Sequence, residues 1–102
     1  KAGEKLKTEL EKIDNPLIYE VRGRGLMIGV ELRHTDGSPA GDVAGIALAD
    51  MLRRGIIMLA DGAAGNVLAF TPPFDLSDDE IEFVVHQVRN AISSSIHQLA
   101  EK

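Results

Sequence analysis

Between Leu76 and Leu99 the chain reads LSDDEIEFVVHQVRNAISSSIHQL. Ile81, Val84, Val85, Val88, Ile92, Ile96 and Leu99 recur at every third or fourth position, so one side of an α-helix is apolar along its length. At 1.5 Å per residue that stripe is about 27 Å long, and it needs an apolar surface to lie against. Ser77 and Glu80 stand three apart at the start, the spacing of a capping box. Leu76 and Ile81 bracket them as a hydrophobic staple. Most of the other apolar runs are too short for a second long helix and have the length of strands.

Upstream, Ala2, Leu6, Leu10 and Ile13 recur at helical spacing, and Asn15-Pro16 is expected to end that helix. Leu17–Val21 and Leu26–Leu32 are β-like runs. The loop RHTDGSPAG follows, with its turn at Asp36-Gly37. From Asp42 a second helix is predicted, with Ala44, Ala47, Leu48, Met51 and Leu52 on one side, Arg53 and Arg54 in its last turn, and Gly55 at C′. Ile56–Leu59 is expected as a buried strand, Asp61–Gly65 as a loop and Asn66–Phe70 as a further strand stopped by Pro72-Pro73. The order is helix-strand-strand-helix-strand-strand-helix. This predicts an α+β fold, a small and mostly antiparallel sheet covered by helices. No internal repeat or low-complexity segment interrupts it.

One hundred and two residues make one domain, residues 1–102. The chain opens without Met, directly on helix-like sequence, so it is expected to be a fragment of something longer. With 44% hydrophobic and 26% charged residues it belongs among folded domains, not disordered ones. No apolar run reaches the ~18 residues of a membrane span. The absence of cysteine excludes disulfides, thiolate-bound zinc, cysteine nucleophiles and iron–sulfur clusters, and fits a cytoplasmic, reducing location. A net charge of −5 gives no reason to expect nucleic acid as a partner.

The segment VRGRGLMIGVEL (Val21–Leu32) invites comparison with phosphate-binding loops. Its glycines lead into a strand, however, whereas a dinucleotide fingerprint leads from strand into helix. The alternative is that Gly23 and Gly25 form a bulge or tight bend, with Arg22 and Arg24 solvated. His86 and His97 lie about 16 Å apart along a helix, too far to share a metal, and the three histidines, with His34, read as surface residues. Asp75, Asp78, Asp79 and Glu80 form an acidic group, three of them in a helix first turn, where carboxylates complement the dipole. No catalytic residue and no metal site emerges. Phe83 points away from the apolar stripe. It is expected to be exposed, either as an isolated surface residue or as a contact for a missing domain or partner subunit.

VRGRGLMIGVEL after a helix, and GNVLAFTPPFDLSDDEIEFVVHQVRNAI towards the end, together resemble the small C-terminal domain of class-III (fold-type I) pyridoxal-phosphate-dependent aminotransferases, the group of gamma-aminobutyrate, acetylornithine and ornithine aminotransferases. The resemblance covers nearly the whole chain. It implies a parent enzyme that moves an amino group from an amine or amino acid to a 2-oxo acid, typically as a homodimer. It also implies that the Schiff-base lysine and most cofactor contacts belong to a separate large domain, so Lys5, Lys7 and Lys12 are not assigned that role and no cofactor-binding residue is expected. The small domain of this family walls the substrate, which makes Ala69, Arg22 and Gly23 the substrate-facing candidates. Many relatives carry arginine before Thr/Ala-Pro-Pro, where it forks onto a substrate carboxylate; this chain has Ala69. Another group must then bind the carboxylate, or the donor is not a standard α-amino acid. The alternative reading is a non-enzymatic α+β regulatory or small-ligand-binding module.

Overall fold

A computed structural model of the chain describes residues 2–24, 27–72 and 76–100, apart from the side chains of Ala2, Arg24 and Ala100. Seven elements follow in the expected order: α1 (Ala2–Glu11), β1 (Ile18–Arg24), β2 (Met27–Leu32), α2 (Gly41–Arg53), β3 (Leu59–Asp61), β4 (Val67–Phe70) and α3 (Asp78–Ala100). The four strands form one sheet in the order β1-β2-β4-β3, with every neighbouring pair antiparallel. The inner pair β2–β4 is not a hairpin; α2 and β3 intervene.

Alternation along the strands divides the sheet into a covered and an open face. Val21, Ile28, Val30, Leu32 and Leu68 point into the core with the inward faces of the helices, Leu6 and Leu10 of α1, Val43, Ala47 and Met51 of α2, and Ile81, Val88 and Ile92 of α3. The opposite face carries Arg22, Gly29, Glu31, Leu59, Val67 and Ala69, and among the described residues the helices' buried side chains cluster with the other face instead.

The helix ends follow local chemistry. Ser77 Oγ accepts from the Glu80 N–H at 3.1 Å and Glu80 Oε1 accepts from the Ser77 N–H at 2.8 Å, a reciprocal capping box. The Ser77 amide holds the Glu80 carboxyl below the usual carboxylate range. Ser77→Ala is expected to cost about 1 kcal/mol by leaving a helix N–H without its acceptor. Urea titration checks this, and an unmoved midpoint would show that the cap contributes nothing. At the other end of α2, Ile56 N–H bonds the Met51 carbonyl at 2.9 Å and Gly55 N–H bonds that of Leu52 at 3.0 Å. With Gly55 at φ +88° this is a Schellman closure, and the predicted C′ glycine is correctly placed.

Several boundaries differ from the sequence reading. The third strand is Leu59–Asp61, not Ile56–Leu59, and all three of its residues are exposed. The amide of Ile56 is used in closing α2, and only Met58 of that run is buried. The hairpin at Gly62 (φ +84°) and Gly65 (φ +65°) then sets the register, so pairing runs from Leu59 opposite Ala69 to Asp61 opposite Val67. Helix α1 ends at Glu11, ahead of Asn15-Pro16, because its last turn tightens to i−3 bonds such as Ile13 N–H to the Leu10 carbonyl. Leu52 is exposed and leaves the inward side of α2 to Val43, Ala44, Ala47 and Met51. That helix begins at Gly41, where a side chain would meet the Ala64 carbonyl oxygen at 2.5 Å. Gly25, Leu26, Pro73 and Asp75 lie outside the described residues.

Candidate functional site

Antiparallel registers place the substrate-facing candidates. Arg22 pairs with Gly29, Gly29 with Ala69, and Ala69 with Leu59. These four residues make one row across the open face, Leu59–Ala69–Gly29–Arg22. Ala69 and Arg22 therefore share a face two strands apart, about 10 Å by strand spacing. Gly23, adjacent in sequence to Arg22, turns to the covered face. A Cβ there would come within 3.0 Å of Lys7 Cδ on α1, so its smallness serves helix packing. It pairs regularly with Ile28, and the irregularity in β1 falls between Ile18 and Glu20, so Gly23 is not a bulge. The structure thus brings together two of the three candidates.

The centre of the row is small. The Ala69 methyl is almost fully covered, and a Cβ on Gly29 would meet Val67 Cγ1 at 3.1 Å. On the β1 side the row ends in a guanidinium that already has partners. Arg22 donates to Glu31 through both terminal nitrogens, with Nη1 at 3.0 Å, and its Nε lies 3.5 Å from Glu20. Arg33 Nε donates to the other Glu31 oxygen at 2.7 Å, and its guanidinium sits 3.5 Å above the Tyr19 ring. The hydrogen bond from Arg33 holds the Glu31 carboxyl below the usual range; burial works against this, and Arg22 adds to it. Arg22 is exposed, in keeping with the expectation of a solvated residue, and its charge is also paired. Glu31 is the residue that sequence reasoning missed. Its place in the strand pattern GVEL gave a hint, because Glu31 lies two residues along from Gly29, the partner of Arg22, and so is diagonal to that guanidinium.

The histidines and the acidic group of α3 do not converge on this face. His34 Nε2 lies 2.8 Å from Asp42 Oδ1, and His86 Nδ1 lies 2.6 Å from Arg89 Nη2. His86 and His97 are exposed on α3. Asp78, Asp79 and Glu80 occupy the first turn of α3, as expected, and Asp78 Oδ1 meets Lys5 Nζ at 2.7 Å. Phe83 is half-exposed and borders a groove with Ile57, Phe70 and Pro72. Among the described residues no helix is long and apolar enough to cross a membrane.

Pyridoxal phosphate, the group implied by the resemblance, needs a lysine that can be an uncharged nucleophile, favoured by burial or neighbouring cations. The described lysines have the opposite surroundings. Lys5 is bound to Asp78, Lys7 to Glu11 and Lys12 to Glu9, each ion pair reaching solvent on α1 or just past its end. The hydrogen bond to Asp78 raises the Lys5 pKa further. These residues do not fit the cofactor's attachment point.

Comparison with known proteins agrees with this geometry. The family described as aminotransferase class-III matches residues 1–92. The diaminobutyrate–2-oxoglutarate aminotransferase of Rhizobium meliloti is 37% identical over 111 residues, covering 99% of this chain and 23% of that protein. Ornithine aminotransferase 2 of Staphylococcus saprophyticus is 38% identical over 88 residues, covering 86% of this chain and 20% of its own length. Among solved structures, an omega transaminase from Pseudomonas jessenii in complex with PMP superposes with a TM-score of 0.78 at 27% identity, over 97% of this chain and 22% of that one. A phospholyase from Arthrobacter in complex with phosphoethanolamine gives 0.80 at 28%, over 90% and 23%. The chain spans about a fifth to a quarter of these relatives. On its sequence and its four-stranded antiparallel sheet alike, the chain belongs to the class-III aminotransferases.

Proposed function

We propose that this chain is the small C-terminal domain of a pyridoxal-phosphate-dependent aminotransferase that transfers an amino group from an amine or amino acid to a 2-oxo acid. The family match over residues 1–92 is the observation that carries this reading. The parent is read as a homodimer, as the resemblance implies, and as cytoplasmic, which the absence of cysteine fits. When bound, pyridoxal phosphate supplies the electron sink for the transfer. The chain's own part is to shape one wall of the substrate site with the row Leu59–Ala69–Gly29–Arg22. In that row Arg22 is occupied by Glu31 and Glu20, so the wall facing the substrate is apolar and small at Ala69. A donor presenting an amine or an apolar substituent to it meets no desolvated charge.

The test is a graft. This chain replaces the matching segment of the Rhizobium meliloti diaminobutyrate aminotransferase, and the 102-residue chain is assayed alone beside it. The graft is expected to hold pyridoxal phosphate and transaminate at least one amine or amino acid. The chain alone should show no shifted cofactor absorbance and no lysine adduct after borohydride reduction. A borohydride-fixed adduct on Lys5, Lys7 or Lys12 would overturn the reading, as would a cofactor-loaded graft inert towards every amine and amino acid tried.

A further inference from the structure

The chain has two Asp-Gly steps, Asp36-Gly37 in the loop after β2 and Asp61-Gly62 where β3 enters its hairpin, and both are exposed. Each glycine has positive φ, +91° at Gly37 and +84° at Gly62. An aspartate followed by glycine can be attacked by its neighbour's amide, because glycine has no Cβ to crowd the approach. The two steps differ in what holds them. At the first, Ser38 donates to Asp36 Oδ1 through its N–H at 2.9 Å and its Oγ at 2.6 Å. The attacking amide there is engaged as well, since Gly37 N–H donates to the His34 carbonyl at 2.8 Å. The Ser38 hydroxyl and amide also hold the Asp36 carboxyl below the usual range, so the neutral acid, whose hydroxyl can leave, is scarcer. At the second step neither group is held. Among the described residues the Asp61 carboxylate has no hydrogen bond or ion pair, and Gly62 N–H meets no acceptor.

We propose that Asp61-Gly62 is a site of spontaneous isomerisation to isoaspartate, and that Asp36-Gly37, alike in sequence, is protected by its turn. The Gly62 nitrogen forms a bond to Asp61 Cγ, the Cγ–O bond breaks, and the carboxyl hydroxyl leaves as water with the amide proton. Water then opens the cyclic imide. Cleavage of the new Cγ–N bond restores aspartate. Cleavage at the former peptide carbonyl routes the main chain through Cγ and leaves the α-carboxylate as the side group. The sequence of steps is redox-neutral and takes only water as co-reactant. Its product has one more main-chain atom at the point where β3 ends. Asp61 forms the last pair of the β3–β4 ladder, opposite Val67. The hairpin beyond it is anchored twice. Asn66 Nδ2 donates to the Leu32 carbonyl at 2.9 Å, and the Ala64 carbonyl oxygen lies so close to Gly41 that a Cβ there would come within 2.5 Å. The extra atom has to be absorbed between these anchors and the Leu59–Ala69 pair, so the pairing of Asp61 with Val67 is what gives way.

The test is carried out on the 102-residue chain, held at neutral pH in water enriched in heavy oxygen, once folded and once in urea. Each imide that hydrolyses leaves one heavy oxygen in its peptide, and chromatography separates the isoaspartyl form from the aspartyl one. In the folded chain both products are expected to accumulate at position 61 at least about fivefold faster than at position 36, the factor that one net hydrogen bond is worth. In urea the two steps should react at similar rates. Ser38→Ala removes one of the two bonds on the Asp36 carboxylate and is expected to speed the reaction at position 36 while leaving position 61 unchanged. Isoaspartyl chain separated from the rest should exchange the Val67 amide hydrogen faster than the parent chain does. A folded chain in which position 36 keeps pace with position 61 would overturn the proposal. The same ratio of rates in buffer and in urea would do so too, by tracing the difference to sequence alone. An unchanged rate at position 36 in the Ser38→Ala variant would refute the protective role of the turn.

Discussion

Leu68→Ala is expected to lower the stability of this domain by about 3–5 kcal/mol, the cost of emptying a fully buried leucine site that cannot collapse. Leu68 is wholly buried on β4, paired with Val30 on one side and Ala60 on the other. Its neighbours are fixed by two ladders, so the backbone cannot close around the missing atoms. Domains of this size have a total stability of about 5–15 kcal/mol, so this one change removes a large share. Urea unfolding of the variant beside the parent chain measures it. A loss below about 1 kcal/mol would mean that the sheet relaxes into the space and that β4 is less firmly held than its pairing indicates.

The second large effect concerns chemistry and rests on the proposed substrate wall. In a full aminotransferase carrying this chain, Ala69→Arg is expected to raise the specificity constant for donors with an α-carboxylate, relative to matched amines, by about 10–100-fold. A charge-assisted bond of roughly 1.5–3 kcal/mol converts to that range. The position lies on the open face between Gly29 and exposed Leu59, and since the Ala69 methyl is itself covered, the longer arginine would have to extend past these neighbours. The native arginine of the row cannot supply the same service, since Glu31 already holds it. Paired kinetics with an amino acid and its decarboxylated amine decide the matter. An unchanged ratio would show that position 69 does not face the substrate.

What could be read from the sequence was whatever is encoded within one turn or one strand. The capping box at Ser77 and Glu80, the C′ glycine at position 55 and the stripe from Ile81 to Leu99 are local patterns, and all are present in the fold. The third strand was misplaced because the apolar run Ile56–Leu59 does not show that its first residue belongs to the closure of α2. That information lies in a bond between Ile56 and Met51. The strand order was likewise out of reach. Nothing in β2 or β4 alone says that they pair with each other, and the register that aligns Ala69 with Gly29 and Arg22 depends on that choice. The same holds for Arg22. Its neighbours in sequence suggest a solvated cation, and it is exposed, but its partner Glu31 is supplied by the neighbouring strand β2.

The crossover between β2 and β4 also governs the order in which the molecule can assemble as it is synthesised. Once Leu32 has emerged, β1 and β2 can close as a local hairpin, but the inner edge of β2 stays bare until Val67–Phe70 follows. Through the intervening residues that apolar strand presents unpaired amides and carbonyls, the kind of edge that pairs with a neighbouring chain. A nascent chain stalled after α2 would therefore carry its stickiest surface at what later becomes the centre of the sheet. Completion of β4 seals that edge, so the final third of the chain acts as the intramolecular guard of the first.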